Sequence, residues 1–134
     1  QLPNCVFLPF QSDEMFPFSL SAADLGVVIL DETVSKGSVP SKSYNLMSYG
    51  IPSLYIAASD SQLRQYADQY GHAKLFTQHE IEAAAQFIRD LSRDEALQQA
   101  MSLRAENAAK DFRRGNADKF VELYLEKQPN AFHG

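Results

Sequence analysis

The stretch of this 134-residue chain best equipped for chemistry is Asp31-Glu32-Thr33-Val34-Ser35-Lys36-Gly37-Ser38-Val39-Pro40-Ser41-Lys42. It gathers carboxylates, hydroxyls and ammonium groups between an apolar run, Leu25 to Leu30, and a helix expected from about Ser41 to Tyr49. Residues 1–60 hold six acids but only two bases, Lys36 and Lys42, and both fall in this loop or the first turn after it. A cation at a helix N-terminus opposes the macrodipole, which favours negative charge there. An anion sharing the site would account for Lys42: helix N–H groups, the Ser38 and Ser41 hydroxyls and two ammonium groups make a phosphate cradle. A solvated loop with surface lysines and a Ser cap accounts for the same composition equally well.

Other reactive side chains carry less. Asp31-Glu32 could be paired carboxylates for acid–base work, although a strand-end turn explains them at least as well; Glu32 is the more interesting of the two. His72, His79 and His133 have no metal-ligand spacing with one another or with Cys5, and His79 lies in a helix-capping sequence, where solvation is expected. Cys5 adjoins an apolar run, so core packing is its expected role. Arg113-Arg114 reads as surface charge near a helix end, and Tyr66 with Tyr70 as an i,i+4 packing pair. No Gly-x-x-x-x-Gly-Lys-Ser/Thr or Gly-x-Gly-x-x-Gly string is present, which disfavours P-loop and dinucleotide chemistry.

The elements that must position the loop follow from the apolar pattern. Val6–Leu8, Leu25–Leu30, Pro52–Ala58 and Ala73–Phe76 lack polar alternation and read as strands buried on both faces. Helices are expected between them: a short one containing Met15, Phe18 and Leu20, one over 41–49 closed by Gly50, and one opened by Ser59-Asp60-Ser61-Gln62 and stopped by Gly71. Thr77-Gln78-His79-Glu80 is a second capping box, leading a helix with Ile81, Ala84, Ala85, Ile88 and Leu91 on one face. Ser92-Arg93-Asp94-Glu95 starts another helix to about Lys110, and a last amphipathic helix follows Gly115. The expected fold class is therefore α/β, a Rossmann-like parallel sheet layered with helices and ending in a purely helical third. It forms a single domain over 1–128, with 129–134 a tail.

Composition sets the outer limits. At 45% hydrophobic and 22% charged residues the chain folds as one unit, and a net charge of -5 argues against nucleic acid as a partner. The lone Cys5 excludes an internal disulfide, and no apolar run reaches the roughly 18 residues that span a bilayer, so a cytoplasmic location is expected.

Ser38-Val39-Pro40-Ser41-Lys42-Ser43-Tyr44-Asn45 with Gly50-Ile51-Pro52 resembles the donor-binding segment of bacterial family 4 glycosyltransferases. Asn4 to Phe10, Leu20 to Val28 and Phe112 to Ala117 resemble flanking segments of the same family, so the resemblance spans nearly the whole chain. It implies the C-terminal half of a GT-B fold, lacking its first strands and the N-terminal acceptor domain, and thus inactive alone. It further implies a UDP- or GDP-linked sugar as substrate, with Ser35, Lys36, Gly37, Ser38, Val39, Pro40, Ser41 and Lys42 beside its sugar and diphosphate and Asn45 near its ribose. Asn45 replaces the second Glu of the family's Glu-x7-Glu pair, and Gly37 stands where the first would be. The implied activity is retaining glycosyl transfer in surface polysaccharide or glycoconjugate assembly, without metal or other cofactor. A membrane-associated acceptor would bring the enzyme to the inner membrane face. A nucleotide-sugar epimerase of the same architecture and a non-catalytic α/β interaction domain are the alternatives.

Overall fold

The computed structural model describes residues 2–33 and 37–127, with side chains through Phe112. Three short strands, β1 (Gly26–Ile29), β2 (Ser53–Ile56) and β3 (Ala73–Phe76), form a parallel sheet in the order β1-β2-β3. Gly26 pairs with Ser53 and Ser53 with Ala73, so the strands start and end level. Helix α1 (Phe16–Ser21) precedes β1, while α2 (Ser41–Ser48) and α3 (Gln62–Tyr70) make the two crossovers. Helices α4 (Ile81–Ser92) and α5 (Glu95–Lys127) follow, giving the expected α/β fold with a helical end.

Each sheet face buries its own core, as parallel strands require. On one face Val28, Tyr55 and Leu75 pack with Leu46, Ile51, Leu63 and Ala67 from α2, α3 and the turn between α2 and β2. On the other, Leu54 and Phe76 meet Ala84, Phe87 and Leu91 of α4 and Met101 of α5. A third cluster joins α2 and α3 to α5: Met47, Ala108 and Ala109 with Tyr44, Tyr66, Tyr70 and Phe112. Phe112 lies edge-on to Tyr66 and Tyr44, with centroids 4.7 and 5.1 Å away, so Tyr66 and Tyr70 do serve packing. Gly50 (φ 65°) and Gly71 (φ 70°) take the left-handed conformation that ends α2 and α3, which residues with a Cβ adopt only at a cost.

Several expectations need correction. Val6–Leu8 is no strand: the run pairs with nothing in the sheet, and Val6, Phe7 and Leu8 are 79, 86 and 69% exposed. An apolar run becomes a strand only where a neighbour offers a ladder, and this segment meets none. Cys5 is accordingly exposed instead of packed in the core. Helix α4 is seated through Ala84, Phe87 and Leu91, leaving Ile81 and Ile88 exposed, because Phe87 packs on Phe76 with ring centroids 6.0 Å apart. The helix expected to end near Lys110 runs unbroken to Lys127 through Gly115, whose helical penalty of about 1 kcal/mol is too small to stop it.

The capping sequences resolve in detail. Asp94, rather than Ser92, caps α5, its Oδ1 accepting the Leu97 N–H at 3.0 Å. Ser61, rather than Ser59, precedes α3, and its buried hydroxyl makes no cap bond. Thr77 and Glu80 close half of the expected box: Glu80 Oε1 accepts the Thr77 N–H at 2.9 Å, which holds its carboxyl below the usual carboxylate range. No helix among the described residues is long and apolar enough to cross a membrane.

Candidate functional site

The carboxyl ends of the three strands open onto one side of the molecule, where an open parallel sheet places its ligands. Asp31 turns the chain out of β1: its Oδ1 accepts both the N–H and the Oγ1–H of Thr33 at 2.8 Å, and these bonds lower its carboxyl pKa. Asp31 is thereby a turn-forming residue. Ser35 and Lys36 lie outside the described residues. Gly37 and Ser38 are exposed, whereas Val39 packs against the first core cluster and pins the far end of the loop.

Pro40 (φ -60°, ψ 138°) delivers the chain to α2 in an extended conformation, and its carbonyl accepts the Ser43 N–H at 3.0 Å and Oγ–H at 2.7 Å. Among the described residues no side chain caps the N-terminus of α2, although Ser38 and Ser41 stand close in sequence. Ser41 and Lys42 are exposed on the first turn, and Asn45 is half-buried one turn on. Lys42 is not turned back on its own helix end. Its Nζ donates to the Val27 carbonyl oxygen at 2.8 Å. Gly26 and Leu30 send their N–H groups to β2, so Val27, of opposite parity, turns its carbonyl to the outer edge of β1. The lysine blunts that open edge, a common fate of edge strands.

Sequence reasoning missed a cleft beside this loop. A cavity of about 420 Å³ lies beyond the strand ends, bounded by Glu32, Ala58, Ser59, Asp60, Thr77 and His79. A smaller hollow of about 180 Å³ shares Glu32 with it and has an apolar floor of Ile29, Leu30, Ile56 and Ala57. Among the described residues, Glu32 is thus the one expected site residue that borders both. A signal for the cleft exists in the sequence: Glu32, Ser59, Asp60, Thr77 and His79 fall within the first three positions or so after each of three apolar runs, the positions that rim a parallel sheet. His79 is exposed, as expected of a capping-sequence residue, but it faces this rim. Another cleft, about 430 Å³, lies at the opposite end of the sheet between Asp24, Gly50 and the Gln98–Glu106 side of α5, away from the candidate residues.

The remaining described histidine is interior. His72 is fully buried, and its Nε2 shares a hydrogen bond of 2.8 Å with the equally buried Tyr55 hydroxyl. Burial pushes the imidazole down to about 4 and is the chief cause of an upward shift of the phenol, so both are neutral. This pair ties β2 to the residue that leads into β3 and is structural. No group of three His, Cys, Asp or Glu among the described residues is placed to hold a metal ion. Compared with protein-family models, curated proteins and solved structures, the chain matches none.

Proposed function

We propose that this chain is the donor-binding part of a retaining glycosyltransferase and that a nucleoside-diphosphate sugar occupies the carboxyl end of its parallel sheet. The observation that carries this reading is the N-terminus of α2, which no side chain among the described residues caps, at the end of the loop that follows β1. The Ser43 N–H is taken by the Pro40 carbonyl oxygen, and the Ser41 and Lys42 amides ahead of it are the ones an anion would meet. The Ser-Val-Pro-Ser-Lys segment that resembles family 4 glycosyltransferases builds this turn, and Lys42, with one of its three donors on Val27, keeps two for phosphate oxygens.

In the proposed reaction the bond between the anomeric carbon and the diphosphate oxygen breaks, and a bond to an acceptor hydroxyl forms with retained configuration. The leaving diphosphate oxygen takes the electron pair of the broken bond and accepts the proton that the acceptor hydroxyl loses. Cationic and amide donors stabilise that charge without a protein nucleophile. The acceptor domain of a GT-B enzyme would complete the active site, so the chain by itself binds donor and does not turn it over.

One observation favours the second reading, a non-catalytic α/β interaction domain. The Lys42–Val27 hydrogen bond accounts for the cation without any ligand. Calorimetric titration with UDP, GDP, ADP and their sugars separates the two. Saturable binding of one nucleotide, weakened about tenfold by Lys42→Ala, is the expected result; no binding to the folded chain overturns the donor-site reading.

A further inference from the structure

Residues 6–10, Val-Phe-Leu-Pro-Phe, have strand composition and pair with no strand among the described residues. Their side chains lie bare: Phe10 is 99% exposed, and Val6, Phe7 and Leu8 are nearly as open. Two bare phenylalanines bring about 200 Å² each, and with Val6 and Leu8 the segment shows about 600 Å² of apolar surface, as large as the biggest patch on most monomers. Surface of that size marks a contact.

The same chain carries an unfilled strand position. Among the described residues β1 is hydrogen-bonded to β2 on one side and to no strand on the other. Val27 and Ile29 turn their backbone groups away from β2, and of these Lys42 engages the Val27 carbonyl alone. The Val27 N–H and both Ile29 groups form the start of a ladder for another strand. The Val27 and Ile29 side chains lie on the α4 face, level with Leu54 and Ile56, yet Ile29 is 72% exposed.

Charge and area together select what fills the position. Residues 1–12 contain no Asp, Glu, Lys or Arg, so this segment is free of the repulsion that a net charge of -5 imposes between copies elsewhere. No Lys or Arg precedes Lys36, so an anionic bilayer would gain no electrostatic hold on the segment. Paired with β1, residues 6–8 set Val6 and Leu8 on one face beside Val27 and Ile29, and Pro9, which has no N–H, ends the ladder. Exchange about a two-fold axis, each copy giving a segment and receiving one, hides about 800 Å² per copy, the size of a standard interface.

We propose that residues 6–8 of one copy add as a fourth strand to the β1 edge of a second copy, and reciprocally, making a dimer held by two exchanged strands. Backbone hydrogen bonds along β1 give it affinity, and the alternate side chains give it register. The inference is independent of the donor-binding reading.

Sedimentation equilibrium of the full chain over the micromolar range tests it, with Val6→Asp/Leu8→Asp on the segment and Ile29→Asp on the edge. Both variants replace exposed side chains, and circular dichroism checks that each stays folded. The wild type is expected to dimerise with concentration, and each variant to raise the dimer dissociation constant at least about tenfold. Mixing the two variants restores part of the association, because the intact segment of one chain meets the intact edge of the other. A monomeric wild type overturns the inference, including one whose segment instead carries it onto phosphatidylcholine vesicles. So does a dimer that survives either variant, or a mixture no more associated than the variants apart.

Discussion

Lys42 Nζ and the Val27 carbonyl oxygen lie 2.8 Å apart, joining the first turn of α2 to the open edge of β1 across fifteen residues of sequence. The contact is solvent-exposed, so water replaces it at little cost, and Lys42→Ala is expected to lose less than about 1 kcal/mol of stability. Nucleotide affinity falls about tenfold in the same variant if the ammonium also meets phosphate. Thermal melting and calorimetry on one preparation read the two effects separately.

Gly26 has no room for a side chain, because a Cβ there would run into the Leu46 side chain of α2. Gly26→Ala should destabilise the fold by about 1–3 kcal/mol, the usual cost of overpacking. Adding Leu46→Ala clears the space, so the double variant is expected to lose less than the sum of the two single changes. A urea-denaturation double-mutant cycle gives the coupling energy; strict additivity would show that the two positions do not collide.

His72 makes stability depend on pH. Its folded pKa, about 4, lies below its ordinary 6.5, because burial penalises the charged ring. The neutral form is therefore the folded form. Its stabilising contribution is complete above 6.5, declines as pH falls toward 4, and amounts to about 3 kcal/mol when fully lost. Urea midpoints measured from pH 7 to 5 should fall in the wild type, and more gently in His72→Gln, which retains a hydrogen-bonding partner for Tyr55. Parallel slopes would refute the assignment.

Phe112 holds α5 against the crossover helices through edge contacts with Tyr44 and Tyr66 and a tilted contact with Tyr70. Phe112→Ala is expected to cost about 2–3 kcal/mol, toward the low end for aromatic truncation because the ring is only half-buried. Hydrogen exchange should locate the loss in α5 and the α2–α3 side, with the sheet amides still protected.

The order of residues determined what depends on near neighbours. Leu25–Leu30, Pro52–Ala58 and Ala73–Phe76 contain the three strands, and Gly50 and Gly71 stop helices because only their local backbone geometry is at issue. The loop between Leu30 and Ser41 was also legible, since a polar stretch between strand and helix needs no distant partner. Tertiary structure alone decided what depends on residues far apart in the chain. Val6–Leu8 has strand composition and no strand to pair with. The Phe76 ring selected which stripe of α4 faces inward. Val27 drew the Lys42 ammonium to the sheet edge, and Tyr55 gave a lone histidine its buried partner. Glu32, Asp60 and Thr77 border one cleft only because parallel pairing brings the ends of β1, β2 and β3 level. Apolar periodicity carries no information about which strand lies beside which, and the site is made by that adjacency.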